Sequence, residues 1–151
     1  PYLKSRQVAV VKSSSDIFKL SDLNGKSIAV QNGSKPEELF LNNSLPQIKS
    51  LRNVYSFSSV GIVFAALKKG YVDACAGHET AYRELMKSSA GEYRILEEPL
   101  LEVELGVAFR KESPASSAEK LTDALNELQS DGVIADIIAA YGLSSDALIG
   151  G

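Results

Sequence analysis

The sequence predicts an α/β fold with a parallel-rich sheet. Apolar runs of strand length alternate four times with amphipathic helical patterns through residues 8–100. The hydrophobic fraction of 44% and the charged fraction of 23% are those of an ordinary globular chain, and 151 residues are enough to bury a core. After residue 100 the pattern changes to one strand followed by two helices, which indicates a return to a neighbouring layer.

The first half of the chain holds two strands, a helical turn and a helix. Val8 begins a short β-branched run, and the next apolar run ends at Gln31. Ser34 is a suitable N-cap for the helix, with Pro36 in its first turn. The predicted elements are a strand over 8–11, a helical turn over 21–26, a strand over 27–31 and a helix over 35–42.

The second half continues the alternation and ends on two helices. Gly70 and Gly142 follow helical patterns as C-terminal stops, and Pro114 accompanies a helix start. The predicted elements are strands over 48–57, 71–76, 93–96 and 105–110, and helices over 58–69, 78–88, 118–129 and 133–141.

Composition excludes several classes of function. A net charge of −3 does not fit a strongly basic nucleic-acid binder, and no apolar run approaches the ~20 residues that span a bilayer. With Cys75 as the one cysteine and His78 as the one histidine, neither a disulfide framework nor a cysteine or histidine metal site is expected. Phosphate-loop, dinucleotide, zinc-protease and serine-hydrolase motifs are missing, so we expect no cofactor and no metal.

The most informative turn is Gln31, Asn32, Gly33 and Ser34, at the carboxyl end of a predicted strand and before a helix. Gly33 allows a tight turn, and the helix N-terminus offers N–H groups to an anion. In open α/β sheets small ligands bind beyond the carboxyl ends of the strands. The alternative is that Gly33 only makes the turn and Ser34 only caps the helix.

The second such turn contains His78 and Glu79, after the strand predicted to end at Ala76. If the two strands share a parallel sheet, both turns lie on one edge of it. The alternatives are that His78 is a cap or surface residue and that Glu79 only favours a helix start electrostatically. Cys75 is expected to be a small core residue, and Asp73 to have a structural role.

The order of motifs along the chain resembles a known family. The chain is similar to the C-terminal two-thirds of the type II periplasmic solute-binding proteins that serve amino-acid ABC importers (family 3 extracellular solute-binding proteins). The pieces that carry the resemblance are Pro1-Tyr2, the strand over 8–12, LSDLNGK (20–26), IAVQNGS (28–34), ALKKGYVDA (66–74), YRIL (93–96), GVAFRK (106–111), ALNEL (124–128), DG (131–132) and YGL (141–143).

The resemblance implies a periplasmic-binding-protein type II clamshell that closes on a small solute. It assigns residues 12–100 to a largely complete second lobe and residues 106–151 to a segment that returns to the first lobe. Residues 1–11 contain the first hinge strand, and residues 101–105 form the second. Most of the first lobe would be absent, so we expect an exposed apolar face and a dimer or swapped assembly.

The resemblance also carries site residues. Gln31, Asn32, Gly33 and Ser34 match the ligand turn of the family's second lobe. The family places an aspartate for the ligand's ammonium group five positions after Asp73, where this chain has His78. A neutral imidazole could only accept a hydrogen bond from that group, so either Glu79 takes over or the solute is not an ordinary amino acid.

The function that the resemblance implies is binding without covalent chemistry. We expect the solute-binding component of an importer for an amino acid or related small polar solute, working with ABC membrane subunits. Such a protein is periplasmic or extracellular, lipid-anchored or secreted. The alternatives are the input domain of a membrane receptor such as a sensor kinase, and a small lyase with His78 or Glu79 as general acid or base.

Overall fold

The computed structural model describes residues 1–143 and 147–149, in which eleven helices and strands alternate much as the pattern predicts. They are β1 (Leu3–Lys12), β2 (Ser27–Gln31), α1 (Lys35–Leu41), β3 (Asn53–Phe57), α2 (Val60–Lys68), β4 (Ala74–His78), α3 (Glu79–Met86), β5 (Tyr93–Ile95), β6 (Leu101–Leu105), α4 (Ala115–Ser130) and α5 (Val133–Ala140). Single 3-10 turns cover Leu20–Leu23 and Lys87–Ser89.

The strands form a mixed sheet in the order β3-β2-β4-β1-β5, and β6 also pairs with β1. The strands β3, β2 and β4 are mutually parallel, whereas β1 runs antiparallel to both β4 and β5. The parallel part joins its strands through α1 and α2, as parallel connections require. The predicted α/β fold class is confirmed.

Helices cover both faces of this sheet, and each face has its own core. Alternation along β1 sends Val8 and Val10 to one face and Ala9 and Val11 to the other. The core on the α2 and α3 side is built around Phe64. That on the α1 side includes Ile28, Val30, Phe40 and Leu96. Because helices cover both faces of the sheet, β1, β2 and β4 are continuous apolar runs and do not alternate apolar with polar residues.

Two predicted strands differ from the structure. Residues 48–52 precede β3 without joining it, because Ser50 and Arg52 bond to the turn at Gly25 and Lys26. The predicted strand over 105–110 is wrong. The strand is β6, and the Leu105 carbonyl accepts the Tyr2 N–H at the start of β1, where that ladder ends.

The chain divides into two compact units. One is Arg6–Glu102, and the other combines Pro1–Ser5 with Val103–Gly151. The chain therefore passes from one unit to the other within β1 and within β6. The hinge role expected for these strands stays a prediction.

The smaller unit has a largely exposed pair of helices. α4 packs against α5, yet α4 buries no residue, and Val107, Phe109, Ile137 and Tyr141 are exposed apolar side chains. A cavity of about 420 Å³ lies within this unit. It is lined by Pro1, Tyr2, Gly106, Val107, Phe109, Ala118, Leu121, Thr122, Leu125, Asn126, Gln129 and Ile149. Exposed apolar side chains, as expected for the segment that begins at residue 106, are therefore present.

Candidate functional site

The ends of three parallel strands lie side by side at one edge of the sheet. Val30 of β2 is level with Ala76 of β4, and Gln31 of β2 is level with Phe57 of β3. The residues that follow these strands therefore emerge together at one edge, here called the rim: 31–34, 58–59 and 77–79, with Arg6 and Gln7 of β1. The predicted proximity of the turns at 31–34 and 78 is confirmed. Their ligand-binding role stays a prediction.

The first rim turn already holds a carboxylate. Gly33, at φ 72°, donates its N–H to Glu37 Oε2 at 2.7 Å, and the Ser56 hydroxyl also donates to that carboxylate. The Ser56 hydroxyl and then the Gly33 amide lower the pKa of Glu37. The expected cap is present, since Ser34 Oγ accepts the Glu37 N–H at 3.4 Å. Gln31 and Asn32 are exposed beside it.

The end of β3 was missed by sequence reasoning. Asn32 donates its N–H to the Phe57 carbonyl at 2.8 Å, which ties this end to the first turn. Ser59 caps α2 by accepting the Ile62 N–H. Unlike α1 and α3, α2 has no acidic residue in its first turn. The sequence did contain a signal for this helix start, because Ser58 and Ser59 stand directly before an apolar helical run.

The carboxylate of Glu79 is held by two arginines. Arg6 binds it with two prongs, Nε at 2.7 Å and Nη2 at 2.8 Å, and Arg83 Nη2 lies 2.7 Å from Oε1. The Arg6 hydrogen bonds lower the pKa of Glu79 most; burial opposes them, and Arg83 adds to the lowering. Since Glu79 stays ionised at neutral pH, it is a poor general acid. Arg83 lies one helical turn away, but Arg6 is 73 positions distant and no local pattern reveals it.

His78 meets a buried glutamine on the neighbouring strand. Gln7 and His78 are directly opposite in the β1–β4 ladder, and Gln7 Nε2 lies 3.0 Å from His78 Nε2. Gln7 is 4% exposed, and its Oε1 has no hydrogen-bond partner among the described residues. Sequence reasoning did not identify Gln7, since a lone polar residue before an apolar run carries no signal.

The neighbouring strand residues have structural roles. Cys75 is fully buried, and burial raises the pKa of its thiol to about 12. Asp73 accepts the Ser27 N–H at 2.8 Å, which ties the start of β2 to the turn before β4. Both expectations for these residues are confirmed.

Two features are absent from residues 1–143 and 147–149. No group of three histidine, cysteine or acidic side chains is placed to hold a metal ion. No helix there has the length and apolar character needed to cross a membrane.

Comparison with known proteins identifies the family. Residues 4–145 match the model of a family described as "ABC transporter, phosphonate, periplasmic substrate-binding protein". The chain belongs to this family. The predicted relationship to periplasmic substrate-binding proteins of ABC transporters is thus confirmed at the level of the family. The description of this family refers to phosphonates, whereas the sequence motifs resembled the family that serves amino-acid importers. A comparison with curated proteins found no match.

Solved structures of substrate-binding proteins and domains share the fold. The second substrate-binding domain of a putative amino acid ABC transporter from Streptococcus pneumoniae matches with a TM-score of 0.71 at 21% identity, over 91% of this chain and 61% of that one. A mutant of ArgBP from T. maritima gives 0.68 at 28% identity, over 93% and 59%. An ancestral arginine-binding protein bound to glutamine gives 0.65 at 28%, over 93% and 61%. The family member described here therefore spans about 60% of the length of these structures.

Proposed function

We propose that the chain is the solute-recognition part of an ABC importer and binds a small polar solute that carries an anionic group. The solute is an amino acid or a related compound, with phosphonates included because of the family to which the chain belongs. Support for amino acids comes from the solved structures, among them the ancestral arginine-binding protein bound to glutamine.

The observation that carries the proposal is the convergence of three strand ends at the rim. Crevices beyond the carboxyl ends of strands are the usual ligand sites of open α/β sheets. α2 begins at this edge with its N-terminal N–H groups and without a first-turn carboxylate, so its positive end is not offset locally. Arg6 adds a cation at the same level of the sheet. Together these groups favour an anionic oxygen.

Each candidate residue has a proposed part in binding. Gln31, Asn32 and Ser34 contact the solute from the first turn, where Gly33 permits the close backbone approach. His78 contacts it from the end of β4. Glu79 acts through Arg6, because both of its carboxylate oxygens are engaged by arginines.

Binding is proposed to couple to hinge closure between the two units, which β1 and β6 connect. Arg6 and Gln7 follow directly after the point in β1 where the chain passes between the units. Solute contacts with these two residues would therefore influence hinge closure. The proposed partners are the importer's membrane subunits, with the protein secreted or lipid-anchored outside the cytoplasm. The exposed apolar side chains of α4 and α5 suit a dimer or swapped assembly, which light scattering would detect.

A thermal-shift screen tests the function. The chain, and any longer form that its gene encodes, is screened with amino acids, phosphonates and other small anions. A solute at a hundredfold excess over its Kd adds ~2.7 kcal/mol to the free energy of unfolding, which is a clear shift. Ser34→Gly, which removes a hydroxyl proposed to contact the solute, serves as the site variant and should reduce the shift. Ser116→Gly, on the exposed surface of α4, is the matched control. Absence of a shift with every solute in the longer form would refute the proposal.

A further inference from the structure

Two Asn-Gly pairs lie in the unit Arg6–Glu102: Asn32-Gly33 in the first rim turn and Asn24-Gly25 before β2. An asparagine followed by glycine can lose its side-chain ammonia without an enzyme, because the glycine nitrogen attacks Cγ of the asparagine and closes a succinimide ring. Glycine favours this attack since it has no Cβ to crowd its nitrogen or to restrict the backbone. The two pairs share one chemistry, and the structure around each pair decides how readily it proceeds.

The side chain of Asn24 is held on both sides of its amide. Nδ2 donates to two backbone carbonyls at 2.7 and 3.1 Å, and Oδ1 accepts the backbone N–H groups of Lys49 and Ser50 at 2.7 and 3.1 Å. Because all four partners are backbone groups, the orientation of this amide is fixed. The Gly25 N–H also donates to the Ser50 carbonyl at 2.8 Å. Attack on Cγ would require the side chain and the Gly25 nitrogen to leave these partners together.

Asn32 lies in a more open setting. Its side chain is exposed and makes no hydrogen bond to any residue that the structure describes. Rotation about its Cα–C bond, which brings the Gly33 nitrogen to Cγ, breaks two contacts. One is the Gly33 N–H bond to the exposed Glu37 side chain, and the other is the bond of 3.2 Å from the Ser34 N–H to the Gln31 carbonyl. Such an opening at an exposed turn costs less than one in a turn bonded to distant backbone.

We propose that Asn32 is a site of spontaneous deamidation at the rim and that the structure protects Asn24. The Gly33 nitrogen forms a bond to Cγ of Asn32, the bond from Cγ to the amide nitrogen breaks, and the Gly33 proton leaves with that nitrogen as ammonia. Water then opens the ring at one of its two carbonyls and gives aspartate or isoaspartate at position 32. The net reaction takes up one water and releases one ammonia.

The modification places a second carboxylate in the first rim turn, beside that of Glu37. Its negative charge repels an anionic solute. The isoaspartate form also lengthens the backbone by one methylene directly before the Gly33 amide. The modified protein should therefore bind an anionic solute more weakly. This consequence rests on the proposed function, whereas the deamidation itself does not.

Peptide mass spectrometry of the aged protein tests the modification. The chain is kept in heavy-oxygen water at mildly alkaline pH, so that only deamidation during the incubation is labelled. Trypsin then separates the two pairs, because Lys26 lies between them. In the native protein we expect Asn32 to convert about fivefold faster than Asn24 or more, and in urea we expect nearly equal rates. Asn32→Gln, whose side chain is one methylene too long for the five-membered ring, should abolish labelling at this position.

Three results would overturn the proposal. The first is equal or faster conversion of Asn24 in the native protein. The second is a native Asn32 that stays unconverted for as long as the chain in urea needs to react. The third is a difference between the pairs that persists in urea, since it would then come from the local sequence and not from the structure. The wild-type measurement needs no variant to fold.

Titration calorimetry with methylphosphonate tests the effect on binding. Asn32→Asp supplies the charge, and Asn126→Asp makes the same substitution on the exposed surface of α4 as the matched control. We expect Asn32→Asp to weaken binding about threefold or more and Asn126→Asp to leave it unchanged. Equal affinities of the two variants would overturn the effect on binding. If the probe and every solute in the screen fail to bind to fresh protein, the proposed function fails, whereas the mass measurement decides the deamidation separately.

Discussion

The guanidinium of Arg6 and the carboxylate of Glu79 form a two-pronged ion pair with contacts of 2.7 and 2.8 Å across 73 positions of sequence. The Glu79 side chain is 9% exposed, and Arg83 also binds it from the next turn of α3. The pair joins the strand that enters the larger unit to the helix that begins at the rim.

Removal of the Glu79 charge should destabilise the protein. For Glu79→Gln we expect a loss of about 1–3 kcal/mol in the free energy of unfolding, because two arginines lose their partner at a nearly buried position. The loss stays below that of a fully buried pair because the arginines are about a third exposed. Urea unfolding at neutral pH measures the change. Glu38→Gln breaks the exposed pair with Lys35 and should cost less than about 0.5 kcal/mol. Equal losses would contradict the structural role of Glu79.

The same pair should give stability a dependence on acid. The pKa of Glu79 is lowered from its ordinary value of 4.5, chiefly by the Arg6 hydrogen bonds. A carboxyl with a lowered folded pKa contributes its stabilisation fully above the unfolded value and loses it as pH falls through the folded value. The stability gap between wild type and Glu79→Gln should therefore be constant near neutrality and shrink below about pH 4. Urea unfolding across this range is the measurement, and a gap that widened in acid would refute the assignment.

Gly77 is required by the close approach of an aromatic ring. A Cβ at this position would lie 2.9 Å from Cε2 of Tyr82, which is fully buried and donates its hydroxyl to the Ala76 carbonyl at 3.1 Å. Gly77→Ala should therefore cost about 1–3 kcal/mol through overpacking. Gly61→Ala is the matched control, since nothing lies within 4 Å of its added Cβ. In α2 it should stabilise by about 0.5–1 kcal/mol. Thermal unfolding of both variants compares them, and a harmless Gly77→Ala would show that Tyr82 can move aside.

The single thiol should report on unfolding. Burial raises the pKa of Cys75 to about 12, so the native protein holds little of the thiolate that reacts with alkylating agents. With iodoacetamide near pH 8, we expect slow labelling of the native protein and rapid labelling in urea, read by mass spectrometry. Labelling of the native protein at the rate of a free thiol would contradict the buried position in β4.

The sequence predicted those parts of the fold that local chemistry determines. The bounds of β2 match the prediction, because a buried apolar run ends there at a Gly33 turn. α1 starts where expected, since Ser34 caps it and Pro36 lies in its first turn. The shared edge of the turns at 31–34 and 78 was expected on the condition that their strands belong to one parallel sheet, and β2 and β4 do pair in parallel.

What the sequence could not predict depends on contacts between distant segments. Arg6 belongs to the site only because β1 runs antiparallel beside β4, and the same pairing places Gln7 opposite His78. The strand predicted at 105–110 fails for a similar reason: its apolar residues resemble a strand, but β6 ends where its ladder with the start of β1 ends.

The carboxylate of Glu37 behaves as a tethered anion already seated against the Gly33 amide. A solute that binds to the Gly33 amide must displace the Glu37 carboxylate. Because this carboxylate is attached to the chain close by, its effective concentration at the amide is high, and weakly binding monoanions compete poorly with it. Shortening that side chain would free the Gly33 amide and would also remove the hydrogen bond that Ser56 of β3 donates to Glu37. Glu37 is therefore a suitable position for changing which anions bind at the rim.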